Sequence, residues 1–201
     1  MEIFMTERLK TIKKQLKKEL DKQRYEHTVG VMYTASCLAM RYGSDINQAM
    51  AAGLLHDCAK CISGEKQLHL CKKHHIPVSD AEWRNPVLLH AKLGAFFAKT
   101  KYGVEDAEVL HAIKAHTTGE PGMNLLDKIL YVSDYIEPNR YKAPDLEEIR
   151  SLAFENIDDA VYRILKDTIH FLNQKKGAMD TKTMDTYKFY KRQKGEENGR
   201  S

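Results

Sequence analysis

The chain predicts an all-α fold in a single domain, and three observations carry that expectation. Apolar residues recur at three- and four-residue spacing along most of its 201 residues. There is no convincing pair of segments with the two-residue alternation of a strand, no internal repeat and no glycine-rich phosphate loop. The periodic runs are separated by capping and breaking residues, among them Gly43, Pro77, Pro86, Gly103 and Pro138. With 42% hydrophobic and 30% charged residues, the composition is that of a globular protein and excludes wholesale disorder.

The elements follow in order. Ile12, Leu16 and Leu20 form a narrow apolar stripe on a basic first helix. Tyr25, Val29, Met32, Tyr33, Ser36 and Met40 place a second helix over roughly residues 22–42, and Gly43 stops it. Ser44 or Asp45 caps a third, which runs to His56-Asp57. Ser63 caps a short helix ending at His74–Pro77, and Asp80 opens a brief one before Asn85. Pro86 takes the first position of the next helix, where its missing N–H costs nothing; Leu89, Leu93, Phe96 and Phe97 mark its inner face. Residues 104–117 and Met123–Tyr135 are helical on either side of Thr118–Gly122, the strongest loop signal in the chain. Two amphipathic stretches, 145–155 and 157–175, follow, with Ile164, Leu165, Ile169 and Leu172 turned inward. The expected division is a basic N-terminal helix over 1–20, the main domain over 21–176, and a polar, partly helical tail over 177–201 that frays from Gly195.

Charge and cysteines narrow the function classes. The net charge of +4 is modest, and part of the excess lies in Lys10, Lys13, Lys14, Lys17, Lys18 and Lys22. No aromatic residues interleave with these lysines, so a solvated helix face explains them better than a nucleic-acid surface. The aromatic and basic cluster from Lys182 to Lys194 is likewise taken as an ordinary terminal helix. No apolar stretch approaches the roughly 20 residues of a membrane span, and the first residues do not resemble a secretory signal. The expectation is therefore a cytoplasmic protein without a membrane partner, with Cys37, Cys58, Cys61 and Cys71 reduced. Cys58, Cys61, Cys71 and His74 have the outline of a structural zinc site, but that site would compete for the same turn as His56-Asp57, and packing is the favoured role.

His56-Asp57 is the focus of the chemistry. Neighbouring helical side chains point about 100° apart, so the two reach one ion only near a helix end, where this pair sits. His27 lies upstream; His90, His111, His116 and Asp134 lie downstream, each in or beside a helical segment. Asp134 lies in an apolar helical run, where an unpaired carboxylate is costly; a salt bridge and a metal role are both open. Asp127 is expected to be structural, paired with Lys128 or a backbone group. Imidazole and carboxylate ligands from separate helices leave open positions for water, the arrangement of a catalytic rather than a structural metal site. Lys60 and Arg140, taken alone, read as surface charges; only their motif context turns them into phosphate contacts, as a point charge and as a planar fork respectively.

The order H…HD…D, here His27, His56-Asp57 and Asp134, resembles the HD-domain phosphohydrolases, which implies a helical-bundle fold. The blocks Arg24–Thr28, Gly53–Lys60, His90–Ala95, Ala115–Gly119 and Leu126–Arg140 are more specifically similar to the bacterial YqeK family, over roughly residues 20 to 175. That resemblance implies symmetrical hydrolysis of diadenosine tetraphosphate to two ADP by a metal-activated water. It carries metal ligation to His27, His56, Asp57 and Asp134, with iron as the expected metal, in one or two ions, and other divalent transition metals admissible. His90 and His116 would either bind a second metal bridged by Asp57 or touch phosphate. Asp57 and Lys60 are the expected catalytic residues, and Arg24, Lys60, Thr117, Thr118, Gly119 and Arg140 the expected substrate contacts. Ser133 departs mildly from the alanine commoner in the family. The alternatives are another HD nucleotide phosphohydrolase or phosphodiesterase, or a non-catalytic nucleotide- or RNA-binding module. Oligomeric state is open, a homodimer included.

Overall fold

The computed structural model describes residues 6–174 and 180–197. Within them the chain forms eleven α-helices and a short 3-10 turn, with no strand. The expected domain boundary at 176–177 and the frayed end from Asn198 onward lie outside the described residues; Gly195 is helical.

Local signals account for most helix ends. Helix α1 (Glu7–Glu19) is capped by Thr6 and buries Leu9, Ile12 and Leu16. Helix α2 (Lys22–Tyr42) starts where the Asp21 carboxylate accepts the Arg24 N–H and ends at Gly43, whose φ of 72° only glycine adopts at little cost. Asp45 caps α3 (Ile46–Leu55) in the same way. Helices α4 (Gly64–Lys73) and α5 (Asp80–Arg84) follow, the latter closed by a Ser79–Glu82 capping box. The segment from Pro86 differs from expectation: it begins as a 3-10 turn over Pro86–Leu89 before α6 (His90–Thr100). Helices α7 (Ala107–Ala115) and α8 (Leu125–Ile136) flank the Thr118–Gly122 loop, and α9 (Leu146–Glu155), α10 (Ile157–Gln174) and α11 (Thr181–Glu197) complete the order.

The inner face of α2 differs from the one its spacing predicts. Thr28, Val31, Met32, Ala35, Leu38 and Ala39 are buried, whereas Tyr33 and Met40 point outward. Gly53 of α3 lets that helix approach this face closely: a Cβ on Gly53 would lie 2.7 Å from the Met32 Cα. Helix α8 lies at the centre, in contact with α2, α3, α7, α9 and α10, and buries Leu126, Ile129, Leu130, Val132 and Ile136. Ile164 and Leu165 of α10 join this core, while Ile169 and Leu172 are only half-buried. The basic terminal helix α11 turns its aromatics onto its own fold: Tyr187 stacks on Tyr162 of α10, Tyr190 is buried, and Lys194 pairs with Asp159. No described helix is long and apolar enough to cross a membrane.

Candidate metal centre

Five helices converge on one buried polar cluster. His27 comes from α2, His56 and Asp57 from the turn that ends α3, His90 from the first residue of α6, His116 from the end of α7, and Asp134 from α8. The turn solves the geometric problem of adjacent ligands, because the chain leaves the helix at His56 and releases Asp57 from helical spacing. The four histidines and Asp57 are each no more than 8% exposed.

The histidines are fixed in one tautomer. Nδ1–H of His56 donates to the Gly53 carbonyl at 2.7 Å, that of His90 to Val87 at 2.5 Å, and that of His116 to Ile113 at 2.7 Å. His27 Nδ1–H donates to Glu137 Oε1 at 3.1 Å. These bonds assign the proton to Nδ1 and turn each Nε2 toward a common centre. There, Nε2 of His27 lies 3.3 Å from Nε2 of His56, and Nε2 of His90 lies 3.2 Å from that of His116. Two imidazole lone pairs do not attract one another, so each pair calls for a cation or a shared proton.

Asp57 joins the two pairs. Its Oδ2 is 3.5 Å from His56 Nε2 and 3.8 Å from His27 Nε2; its Oδ1 is 3.2 Å from His90 Nε2 and 3.7 Å from His116 Nε2. Oδ1 is buried yet accepts no hydrogen bond, as expected where the nearby nitrogens offer lone pairs rather than protons. Asp134 Oδ1 lies 3.0 Å from His27 Nε2 and 3.8 Å from His56 Nε2. Ligand atoms of His27, His56 and Asp134, and of His56, Asp57 and His116, are close enough to share an ion. An orphaned carboxylate oxygen among inward lone pairs is a donor set that fits a divalent metal.

Electrostatics agree with this arrangement. Burial opposes ionisation of Asp57 and Asp134, but His56 beside Asp57 and His27 beside Asp134 hold both carboxyls well below their ordinary range. Burial also opposes charge on His27, yet its bonds to Asp134 and Glu137 raise it to about 9. His90, desolvated and next to Lys60, falls to about 4. Arg24 Nη1 donates to Asp57 Oδ2 at 2.6 Å, and Arg140 Nη2 donates to Asp134 Oδ1 at 2.9 Å. Lys60 Nζ donates to His90 Nε2 at 3.1 Å, and burial lowers its pKa.

Several expectations are redrawn. Of the loop trio, Thr117 reaches the centre, its Oγ1 3.2 Å from both His90 and His116 Nε2. Thr118 spends its hydroxyl proton on the Gly119 carbonyl, and the Gly119 N–H is committed to Ala115. Gly119 instead permits close packing, since a Cβ there would lie 2.9 Å from Thr186 on α11. His111 stands apart from the centre, between Asp127 at 2.9 Å and Glu120 at 2.8 Å. Asp127 thus pairs with His111 and caps α8, whereas Lys128 pairs with Asp158. No cysteine belongs to any group of potential metal ligands among the described residues: Cys58 donates to the Gly94 carbonyl, Cys61 to Asp21, and Cys71 is packed.

Sequence reasoning missed Glu137 as a site residue. It is 1% exposed, holds His27 with Oε1, and takes the N–H and side-chain amide of Asn139 on Oε2. Gly30 makes room for it, because a Cβ there would collide with Glu137 Oε2. A carboxylate at the C-terminal end of a helix opposes the helix dipole, and that misfit was the available signal.

The HD-domain family model matches residues 24–139, which contain His27, His56, Asp57, His90, His116 and Asp134. At 41% identity the chain aligns with the symmetrical bis(5'-nucleosyl)-tetraphosphatase of Bacillus subtilis, over 86% of this chain and 91% of that protein. The chain belongs to the YqeK family of HD-domain proteins. Another relative with the same description, from Staphylococcus aureus, is 34% identical over 89% of this chain and 92% of its own length. A solved structure from Clostridium acetobutylicum, described as a "predicted HD superfamily hydrolase involved in NAD metabolism", superposes with a TM-score of 0.88 at 38% identity, covering 92% of this chain and 97% of that one. The helical bundle is thus the fold of this HD-domain family.

Proposed function

We propose that this HD-domain protein is a metal-dependent hydrolase that splits diadenosine tetraphosphate symmetrically into two ADP. The curated relatives carry the name of that activity over nearly their full length. Within this chain, the supporting observation is Asp57 lying between two pairs of inward-facing imidazoles, with its Oδ1 unpartnered.

That observation favours two metal ions over one. His90 and His116 offer lone pairs, with both Nδ1 protons already donated to backbone carbonyls, so they have no proton for a phosphate oxygen. The low pKa of His90 keeps it neutral. A cation suits them and an anion does not. His27, His56 and Asp134 would hold one ion, His90 and His116 the other, and Asp57 would bridge them. Iron fits an imidazole and carboxylate set and is the metal the family resemblance implies; zinc and manganese also take such ligands. When bound, the metals supply a water acidified toward neutral pH and positive charge at the attacked phosphorus.

The chain's own cations supply the rest. Arg24 and Arg140 pair with Asp57 and Asp134; with those carboxylates engaged as ligands, both guanidinium forks would be available for bidentate phosphate contact. Lys60, released from His90, adds a compact charge at the attacked phosphorus, and the Thr117 hydroxyl donates beside it. The four cysteines are free, which supports residence in the reducing cytoplasm.

Product analysis tests the activity. Incubation of the metal-loaded protein with diadenosine tetraphosphate, followed by nucleotide separation, is expected to yield ADP as the sole product. ATP plus AMP in equal amounts would overturn symmetrical cleavage.

A further inference from the structure

The turn that follows α8 carries two side chains that serve the centre. Glu137 holds His27, and Arg140 Nη2 donates to Asp134 Oδ1 at 2.9 Å. A helix end leaves carbonyl groups without partners in the helix itself. Here they are taken by Arg150 of α9, a residue beyond the motif blocks and beyond the span matched by the HD-domain family model. Its Nε donates to the Ile136 carbonyl at 2.9 Å. Its Nη2 donates to the carbonyls of Glu137 at 3.1 Å and Arg140 at 2.9 Å.

Two of these bonds cap a helix, and the third does not. Cationic side chains near a helix C-terminus commonly bond its last carbonyls and oppose its dipole. The Arg140 carbonyl lies beyond α8, so its bond closes the turn rather than the helix. The turn is otherwise held by the Arg140 N–H, which donates to the Glu137 carbonyl at 2.9 Å. One planar fork thus grips both ends of the turn, a geometry that the single ammonium of a lysine does not reproduce. The helix that bears the fork is itself fixed to α2, which carries His27. Tyr42 Oη donates to the Ala153 carbonyl at 2.8 Å and Arg41 Nε to that of Phe154 at 2.7 Å, while Ile149 and Ala153 are buried.

We infer that Arg150 is a positioning residue for the reaction: by tying the Arg140 carbonyl to the end of α8, it sets the direction from which the Arg140 side chain reaches the centre. The inference rests on the reading of Arg140 as a phosphate contact. Arg140 lines the cavity beside the centre, whereas Arg150 stands behind the turn and acts through its main chain. A turn fixed before substrate arrives spares the cost of ordering it on binding.

A double-mutant cycle tests it, with Arg150→Ala, Arg140→Ala and the two combined. Each metal-loaded protein is titrated calorimetrically with ADP, a measurement that needs no turnover. Arg150→Ala alone is expected to weaken ADP binding about tenfold, and to weaken it no further once Arg140 is replaced by alanine. Arg150→Lys keeps the charge and loses the fork, and serves where the alanine variant folds poorly. Its affinity is expected to lie between those of wild type and Arg150→Ala, and its effect to vanish in the Arg140→Ala background. Unaltered ADP affinity in Arg150→Ala would overturn the inference. So would equal losses with and without Arg140, which is the result a purely structural cap gives. An Arg140→Ala protein that binds ADP as tightly as wild type would defeat the reading of Arg140 and leave Arg150 nothing to act through. A protein that shows the coupling but releases no ADP from the dinucleotide would defeat the activity and leave the role of Arg150 standing.

Discussion

His27 shows how much chemistry one side chain concentrates. Its Nδ1 is tied to Glu137, and its Nε2 faces both His56 and Asp134, so without metal the second ring proton occupies the place of a cation. The resulting pKa of about 9, against an ordinary 6.5, has two consequences of opposite sign. The network stabilises the metal-free fold fully below about pH 6.5 and loses that contribution as pH rises through about 9. Metal, which needs the neutral ring, binds more tightly as pH rises over the same interval. Calorimetry in buffers of different ionisation enthalpy is expected to show about one proton released per metal-binding event at the His27 site near pH 7.5, falling toward zero above about pH 9.5. No proton release near pH 7.5 would show that His27 is not the protonated ligand. In the sequence His27 and His111 are alike, each a histidine on an amphipathic helix. Both reach a carboxylate of α8, and what separates them is where they meet it: His27 at Asp134 in the centre, His111 at Asp127 in the first turn, a long-range fact that local spacing does not encode.

At the scale of elements, the boundaries that depend on neighbouring residues were legible and the packing faces were less so. Gly43 and Asp45 act within a few residues of their own helix ends, and α2 ends and α3 begins where those signals place them. The inner face of α2 was misjudged because Tyr33 and Met40 share the helical period of the true core positions. The deciding residue lies on the partner helix, where Gly53 lets α3 rest on the Met32 backbone. Gly53→Ala would put a Cβ 2.7 Å from Met32 Cα and 2.9 Å from its N, both backbone atoms that cannot rotate away. The expected cost is about 1–3 kcal/mol, read as a lower melting temperature, together with reduced activity because α3 delivers His56 and Asp57. Gly195→Ala, which meets nothing within 4 Å on α11, serves as the control and is expected to lose no stability. Equal melting temperatures for Gly53→Ala and wild type would show that the α2–α3 contact yields more readily than its backbone distances indicate.

For the whole molecule, the bundle is a means of bringing side chains far apart in sequence to one point. His27 and Asp134 are 3.0 Å apart through the packing of α2 on α8, and His90 meets His116 through that of α6 on α7. The ordered motif blocks make the expected ligand set legible in the sequence itself. The support from Glu137 and the absence of Gly119 from the centre arise from packing between distant segments, which no local motif encodes. Asp57 is the residue common to both imidazole pairs, so the proposed centre stands or falls with it. The most direct measurement is metal content and diadenosine tetraphosphate turnover on the same preparations of wild type and Asp57→Ala, with helicity followed by circular dichroism. Two equivalents of divalent transition metal with turnover are predicted for the wild type. Loss of both metal and turnover, with helicity retained, is predicted for the variant. An Asp57→Ala protein that keeps full turnover would contradict a metal centre built around this carboxylate.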